Sequence, residues 1–432
     1  MPRTSGRPSS KRLLALAASA LIFAALLCAK YRQPDTATLQ IIAHALTSPG
    51  GTDSALYMNM GEHAFRSDPD HRIFPKLFFA EHQKFIYPPS SLVLIEALGL
   101  TPNPPLALHL LLLFSWVGTL VVAVFFFRSV RGGLTSTEFV SIVLLGILFL
   151  PLAEALYRGQ IQMLLTFLWG LAALLWQRER RGWAGFILAL TCAFKPQLAL
   201  FLLWGLLRKE WRFTGIFAGT LAAITAGSIA RFGLQNNLDY LSVLGFLSRH
   251  GEALWANQSV NGLLNRLLLN GDPLSWSGTV YPPYRTSIYL LSTAFTLLGT
   301  GTGLLLPRLQ RWAGTTADFL FFGGISVVIS PIAWEHHYGA FFVLLIFLLA
   351  RAERLTRLHW GLLVACTLAM SNRLPPLDRH MAGPTALVGC YLFFSAIAVL
   401  LLLARNAKGS AAKEGVGVRA PGVSVTLRNV VQ

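Results

Sequence analysis

The chain has 432 residues, of which 54% are hydrophobic and only 13% charged, a balance that excludes an ordinary soluble globular domain. Its formal charge of +17 would suggest nucleic acid in a soluble protein, but the basic residues gather in short stretches between apolar blocks, the pattern that sets membrane topology. Membrane lipids are therefore the expected partner, through their headgroups, and nucleic acid is not.

In chain order, the first apolar block runs from Leu13 to Cys28 behind Arg3, Arg7, Lys11 and Arg12. No small-residue cleavage site follows it, so it reads as a retained signal anchor over 12–29. Further blocks occupy 106–127, 136–153, 160–177, 182–194, 197–208, 212–231, 284–306, 314–332, 338–352, 358–371 and 384–404. The predicted fold class is all-α, a polytopic transmembrane helical bundle of about 12 spans. It fills residues 1–404, and 405–432 reads as a disordered cytoplasmic tail. The blocks 182–194 and 197–208 are short and parted by Lys195-Pro196, which suits a broken or re-entrant pair. Ser90 to Leu100 is too short to span and reads as a re-entrant or lipid-facing helix. Cys28, Cys192, Cys366 and Cys390 sit in or beside apolar blocks without disulfide or metal spacing.

With the N terminus inside, nearly every short Arg-rich connection also falls inside, among them Arg128 with Arg131, Arg178 with Arg180 and Arg181, and Arg208 with Arg212. That leaves extracytoplasmic loops at 30–105 and 232–283, with shorter ones near Arg158, Lys195, Glu335 and Arg373. The residues able to do chemistry gather on that face. Asp53 follows Gly50-Gly51-Thr52 and can act as a general base at the lipid–water boundary, although local sequence alone favours a helix cap. Tyr87-Pro88-Pro89 enters the short apolar segment, either as a membrane-anchoring turn or as part of a site. At the next outer end Arg158 supplies a cation and Gln160 an amide that can hold a sugar or a phosphate.

Lys195 interrupts strongly apolar sequence, where an ammonium needs a partner such as a lipid phosphate unless it snorkels to the headgroups. Asn257-Gln258-Ser259 offers amides for a hydroxyl-rich ligand or for capping. Trp334-Glu335-His336-His337-Tyr338 places two imidazoles between apolar blocks. Adjacent positions on a helix diverge by about 100°, and no third ligand has a recognisable spacing, so a metal is not expected there.

Asp53 with Tyr57, Tyr87-Pro88-Pro89, Gly159-Gln160, Lys195-Pro196, Asn257-Gln258-Ser259 and Ser330-Pro331 with His336-His337, taken in that order, resemble glycosyltransferase family 87. The resemblance covers about residues 40 to 350. It implies a GT-C type, inverting membrane enzyme that needs no cofactor. Such an enzyme moves a hexose, usually mannose, from a polyprenyl-phosphate sugar donor to a glycan or glycolipid acceptor, here on the extracytoplasmic side of a bacterial inner membrane. On this resemblance Asp53 is the catalytic base. Lys195, His336, His337 and Arg158 hold the donor phosphate, and Tyr57, Tyr87, Gln160, Asn257 and Gln258 contact sugar or acceptor. Two departures stand out: Glu335 replaces the aspartate expected before the histidine pair, and the loop from Phe65 to Lys84 is long and charged, with Arg66, Arg72, Lys76 and Lys84. Alternative readings are a transferase for another polyprenyl-linked sugar, such as arabinofuranose, and a transporter of lipid-linked glycans. A transporter would carry its polar groups near the midplane, whereas these lie at span ends.

Overall fold

Helices begin and end where the local chemistry dictates. The computed structural model describes residues 8–31, 37–47, 53–374 and 381–411. Within these, every apolar block becomes helix: α1 (Pro8–Lys30), α2 (Thr38–Thr47), α3 (Asp53–Ser67), the short α4 (Leu92–Gly99) and α5 (Pro104–Arg131). There follow α6 (Ser136–Ile147), α7 (Leu150–Tyr157), α8 (Gln162–Gln177), α9 (Arg181–Thr191), α10 (Leu200–Arg208) and α11 (Trp211–His250). The bundle is completed by α12 (Val260–Leu267), α13 (Thr286–Leu309), α14 (Thr316–Val328), α15 (Phe341–Ala350), α16 (Arg357–Met370) and a last helix, Tyr391–Ala411. The segment expected as a tail therefore starts in helix, and its remainder lies outside the described residues, as do Asp35 and Gly50-Gly51-Thr52. Among the described residues the sole β pairing is an isolated bridge between Asn257 and Trp334.

The junction before α6 shows the local rules at work. Asn103 accepts from the Leu106 N–H to start α5 with Pro104 in its first turn, and Gly132 ends that helix at φ +79°. Thr135 and Glu138 then close a capping box on α6.

Among the described residues four helices, α1, α5, α11 and α13, are long and apolar enough to cross a membrane. The number rises to six if two bent pairs each count as one crossing, α6 with α7 at 52° and Gly383–Gly389 with the last helix at 51°. The other expected spans are apolar helices of 10–17 residues or shorter. Their brevity follows from interruption, since Pro196 breaks the run between α9 and α10, and Pro331 lies between α14 and the 3-10 turn Glu335–Ala340. Proline removes an N–H and clashes with the preceding turn, so the backbone groups freed at these breaks must line a cavity or find protein partners.

At the end of the bundle carrying the Arg-rich connections, Arg208 pairs with Asp318 at 2.6 Å, the two side chains 1% and 0% exposed. Asp318 also accepts from Trp204 Nε1 and from the Gly314 N–H. Arg181 lies 3.6 Å from the centre of the Trp176 ring, and Arg131 pairs with Glu138 and Glu353. Part of the basic excess read as headgroup contact thus holds the protein together. Between the two ends, Phe319 stacks on Trp169 and Trp176, at 5.3 and 4.9 Å between ring centres.

At the other end, the two long loop regions fold as one unit. The 232–283 region opens as a continuation of α11, whose backbone leaves helical geometry at Gly233 (φ 81°). The charged Phe65–Lys84 stretch packs on it: Arg72 meets Asp239 at 2.6 Å, and Asn236 brackets the chain through the Ile73 N–H and the His71 carbonyl. Lys84 meets Glu252 at 2.5 Å between the rings of Trp276 and Tyr281. Arg72 and Lys84 of that stretch are therefore paired across to the second region, while Arg66 pairs with Glu62 on the exposed face of α3.

Candidate functional site

Asp53 opens α3, where the helix dipole favours a negative charge. Its backbone N–H donates to the Arg158 carbonyl at 3.2 Å, and its Oδ2 accepts from Gln160 Nε2 at 3.2 Å. Ser54 completes the clamp, donating to Gln160 Oε1 and accepting from the Ile161 N–H. The reason Gln160 can reach Asp53 is the way α7 ends. Gly159 sits at φ +64°, with its N–H bonded to the Leu156 carbonyl and the Gln160 N–H to the Ala155 carbonyl. That pairing is a Schellman turn, whose left-handed position favours glycine.

Burial raises Asp53 above the ordinary aspartate value of 3.8; the Arg158 cation and the Gln160 hydrogen bond oppose the rise, and Glu154 adds to it. Tyr57, one turn along α3, and Tyr87 are both raised by burial and further by the Asp53 charge. Tyr87 is pushed up to about 12, so both phenols keep their protons at neutral pH. Asp53, Ser54, Tyr57, Tyr87, Arg158 and Gln160 thus form one group, and the sequence signals behind it came from three separate segments.

A second group surrounds a small cavity lined by Gln162, Lys195, Ser326, Ser330 and His337 over the Trp169 ring. Lys195 lies at the break after α9 and makes no side-chain hydrogen bond or ion pair among the described residues. His336 and His337 stand edge to face at 4.8 Å, and His337 shares the cavity lining with Lys195. Gln162 ties the groups together in sequence, since α8 begins two residues after Gln160. Among the described residues, no cluster of three or more His, Cys, Asp or Glu side chains could hold a metal ion.

The amide-rich loop faces inward. Asn257 and Gln258 are 0% exposed. Asn257 donates to the carbonyls of Glu252 and Pro331 and accepts from the Ala333 N–H; Gln258 donates to Trp255 and Gly389. The loop is wound so tightly that a Cβ on Gly262 would come within 2.3 Å of the Asn257 carbonyl oxygen. The Asn257 side chain fastens the Ser330–Trp334 segment in place, the Gln258 backbone N–H adds a bond to the Ala333 carbonyl, and the structure does not bring either side chain to the cavity or to Asp53.

Some residues of the site carried little sequence signal. Arg158 pairs with Glu154 at 2.7 Å, Arg373 reaches Glu154 as well, and Arg373 meets Glu335 at 3.2 Å. Glu154, Glu335 and Arg373 are buried at 1%, 3% and 8% exposure. Beside Arg158 and Glu335, which the sequence already marks, the further signal is a carboxylate inside an apolar block, Glu154 in Leu150–Tyr157. Trp276 and Trp334, edge to face at 5.3 Å, flank the same region.

A family model, glycosyltransferase family 87, matches residues 85–331. No curated protein matches the chain. The matched stretch includes Tyr87, Arg158, Gln160, Lys195, Asn257 and Gln258, while Asp53, His336, His337 and Arg373 lie outside it.

Proposed function

The chain belongs to glycosyltransferase family 87, whose model covers more than half of it, and from that premise we propose that it transfers a hexose, mannose foremost, from a polyprenyl phosphate to a lipid-linked or cell-envelope glycan with inversion at the anomeric carbon. The observation that carries this reading is a carboxylate of raised pKa, Asp53 clamped by Gln160, at the same end of the bundle as a cavity lined by His337 and by Lys195, whose side chain has no hydrogen-bond or ion-pair partner among the described residues.

The acceptor hydroxyl gives its proton to Asp53 as its oxygen attacks the anomeric carbon. The bond from that carbon to the phosphate oxygen breaks, and its electron pair leaves with the polyprenyl phosphate. Negative charge therefore grows on the phosphate, where Lys195 and the imidazoles of His336 and His337 stabilise it. Gln160 orients the base, and Arg158 acts beside it. Tyr57 and Tyr87, protonated, offer hydrogen bonds to sugar hydroxyls. Asn257, through its side chain, and Gln258, through its backbone N–H, serve the sugar site by way of the Ser330–Trp334 segment they hold. A donor with a long isoprenoid tail explains why the phosphate-binding groups lie at a helix break within apolar sequence. We place the site on the extracytoplasmic side of a bacterial inner membrane, with the Arg-rich connections inside.

The test is transfer of label from radiolabelled polyprenyl-phosphate mannose to membrane-extracted acceptors by the purified protein in lipid nanodiscs, with a polyprenyl-phosphate arabinofuranose donor run in parallel. Asp53→Asn should lower the rate about 10²–10⁴-fold, the range of general-base catalysis. Undiminished transfer by Asp53→Asn removes Asp53 as the base. A preference for arabinofuranose overturns the sugar assignment, and movement of lipid-linked glycan without any transfer overturns the enzyme.

A further inference from the structure

We propose that Arg373 is a positioning residue that holds the Asp53 half of the site and the His336–His337 half at one fixed separation; the inference rests on the transferase reading above. Four buried or half-buried charges alternate in a chain from Arg158 to Glu154 to Arg373 to Glu335. Arg158 meets Glu154 Oε2 at 2.7 Å, Arg373 Nη2 meets the other oxygen of Glu154, and the same nitrogen meets Glu335 Oε2 at 3.2 Å. Each end of this chain is one residue or one hydrogen bond from a candidate reacting group. The Arg158 carbonyl receives the Asp53 N–H, and Glu335 directly precedes His336.

Nothing local could set that distance. Arg373 follows α16 and is separated in sequence from Glu154 by 219 residues and from Glu335 by 38. Its guanidinium also lies 5.0 Å from the centre of the Trp255 ring, next to the loop that fastens the Ser330–Trp334 segment. Arginine suits the task because its charge is permanent and its planar fork can serve two carboxylates at once, whereas a lysine ammonium is a point charge that fixes no angle between them. Displacement at an anomeric carbon needs the base and the departing phosphate on opposite sides at a set distance, and a misplacement of about 1 Å can cost on the order of 10²-fold in rate.

The test compares Arg373→Lys, Arg373→Gln and the double variant Glu335→Gln/Arg373→Gln in nanodiscs, with rates normalised to folded protein. The double variant removes opposite charges together and keeps the Arg158–Glu154 pair, so it remains informative if Arg373→Gln alone does not fold. Arg373→Lys should lower kcat about 10–10²-fold with both KM values within about threefold, because each half-site still binds its own substrate. The double variant should recover thermal stability without recovering kcat. Native kcat in the double variant would reduce Arg373 to a charge-balancing part of the fold, and a loss confined to donor KM would make it a donor ligand. Hydrogen exchange supplies the readout independent of turnover: Arg373→Lys should speed exchange in residues 53–61 and 335–340 together, and unchanged exchange at either segment overturns the proposal. If the native protein transfers no sugar while that coupled change persists, the transferase reading fails and the positioning role stands.

Discussion

At the scale of the residue, the type of Asp53 and its place in the first polar loop are visible in the sequence, whereas the Gln160 hydrogen bond to its carboxylate, which supports the proposed base, appears only in the fold. Because burial raises its pKa above 3.8, the acid limb of the rate profile should lie above the range of an ordinary aspartate: transfer falls as pH drops through the raised value and Asp53 takes up its proton. Gln160→Leu removes a hydrogen bond that favours the ionised form, so that limb should move to still higher pH, measured as kcat/KM against pH; an unmoved limb would detach Gln160 from the base. The sign for stability is the reverse of that for activity. A carboxyl with a raised folded-state pKa stabilises the fold below its unfolded pKa, and that contribution is lost as pH rises through the folded value. Asp53→Asn should accordingly leave the melting temperature at pH 7 unchanged or slightly higher, the increment being small because Asp53 is half-exposed.

At the scale of elements, the Lys84–Glu252 pair decides how the two long outer regions associate. The side chains are 5% and 8% exposed, and burial lowers the Lys84 ammonium while Glu252 opposes the shift. Removing one partner of such a pair leaves an uncompensated buried charge and costs about 3–5 kcal/mol, whereas replacing both with apolar groups of similar volume is often near neutral. Glu252→Gln should therefore lower the thermal midpoint markedly, and Lys84→Met/Glu252→Met should restore most of it. A midpoint in the double variant as low as in the single one would show that the aromatic clamp of Trp276 and Tyr281, not the charge, joins the regions. None of this pairing could be read from the order of residues, since partners 168 positions apart give no periodic signal. The carboxylate partners of Arg72 and Lys84 in the charged stretch from Phe65 to Lys84, Asp239 and Glu252, lie in another segment.

For the whole molecule, the Arg-rich connections and the polar site residues lie at opposite ends of the helices: α8 starts beside Gln160 and ends at Arg178, and α9 returns to Lys195. In a cysteine-free background, Asp272→Cys should react with a membrane-impermeant maleimide on intact cells, and Arg180→Cys only after permeabilisation. The opposite pattern would reverse the orientation and move the site to the cytoplasmic side.

By itself the sequence determined the helical class, the positions of the apolar blocks, the family and the residue types at the breaks, because hydrophobic length and the cost of burying a lone charge act locally along the chain. Only the tertiary structure decided which blocks form helices long enough to cross a membrane, that Asn257 and Gln258 turn inward to backbone partners, and that Arg373 joins Glu154 to Glu335. Those outcomes depend on which buried donor finds which acceptor. That choice is made by packing between distant segments, where every unpaired polar group must be satisfied by whatever the fold places beside it.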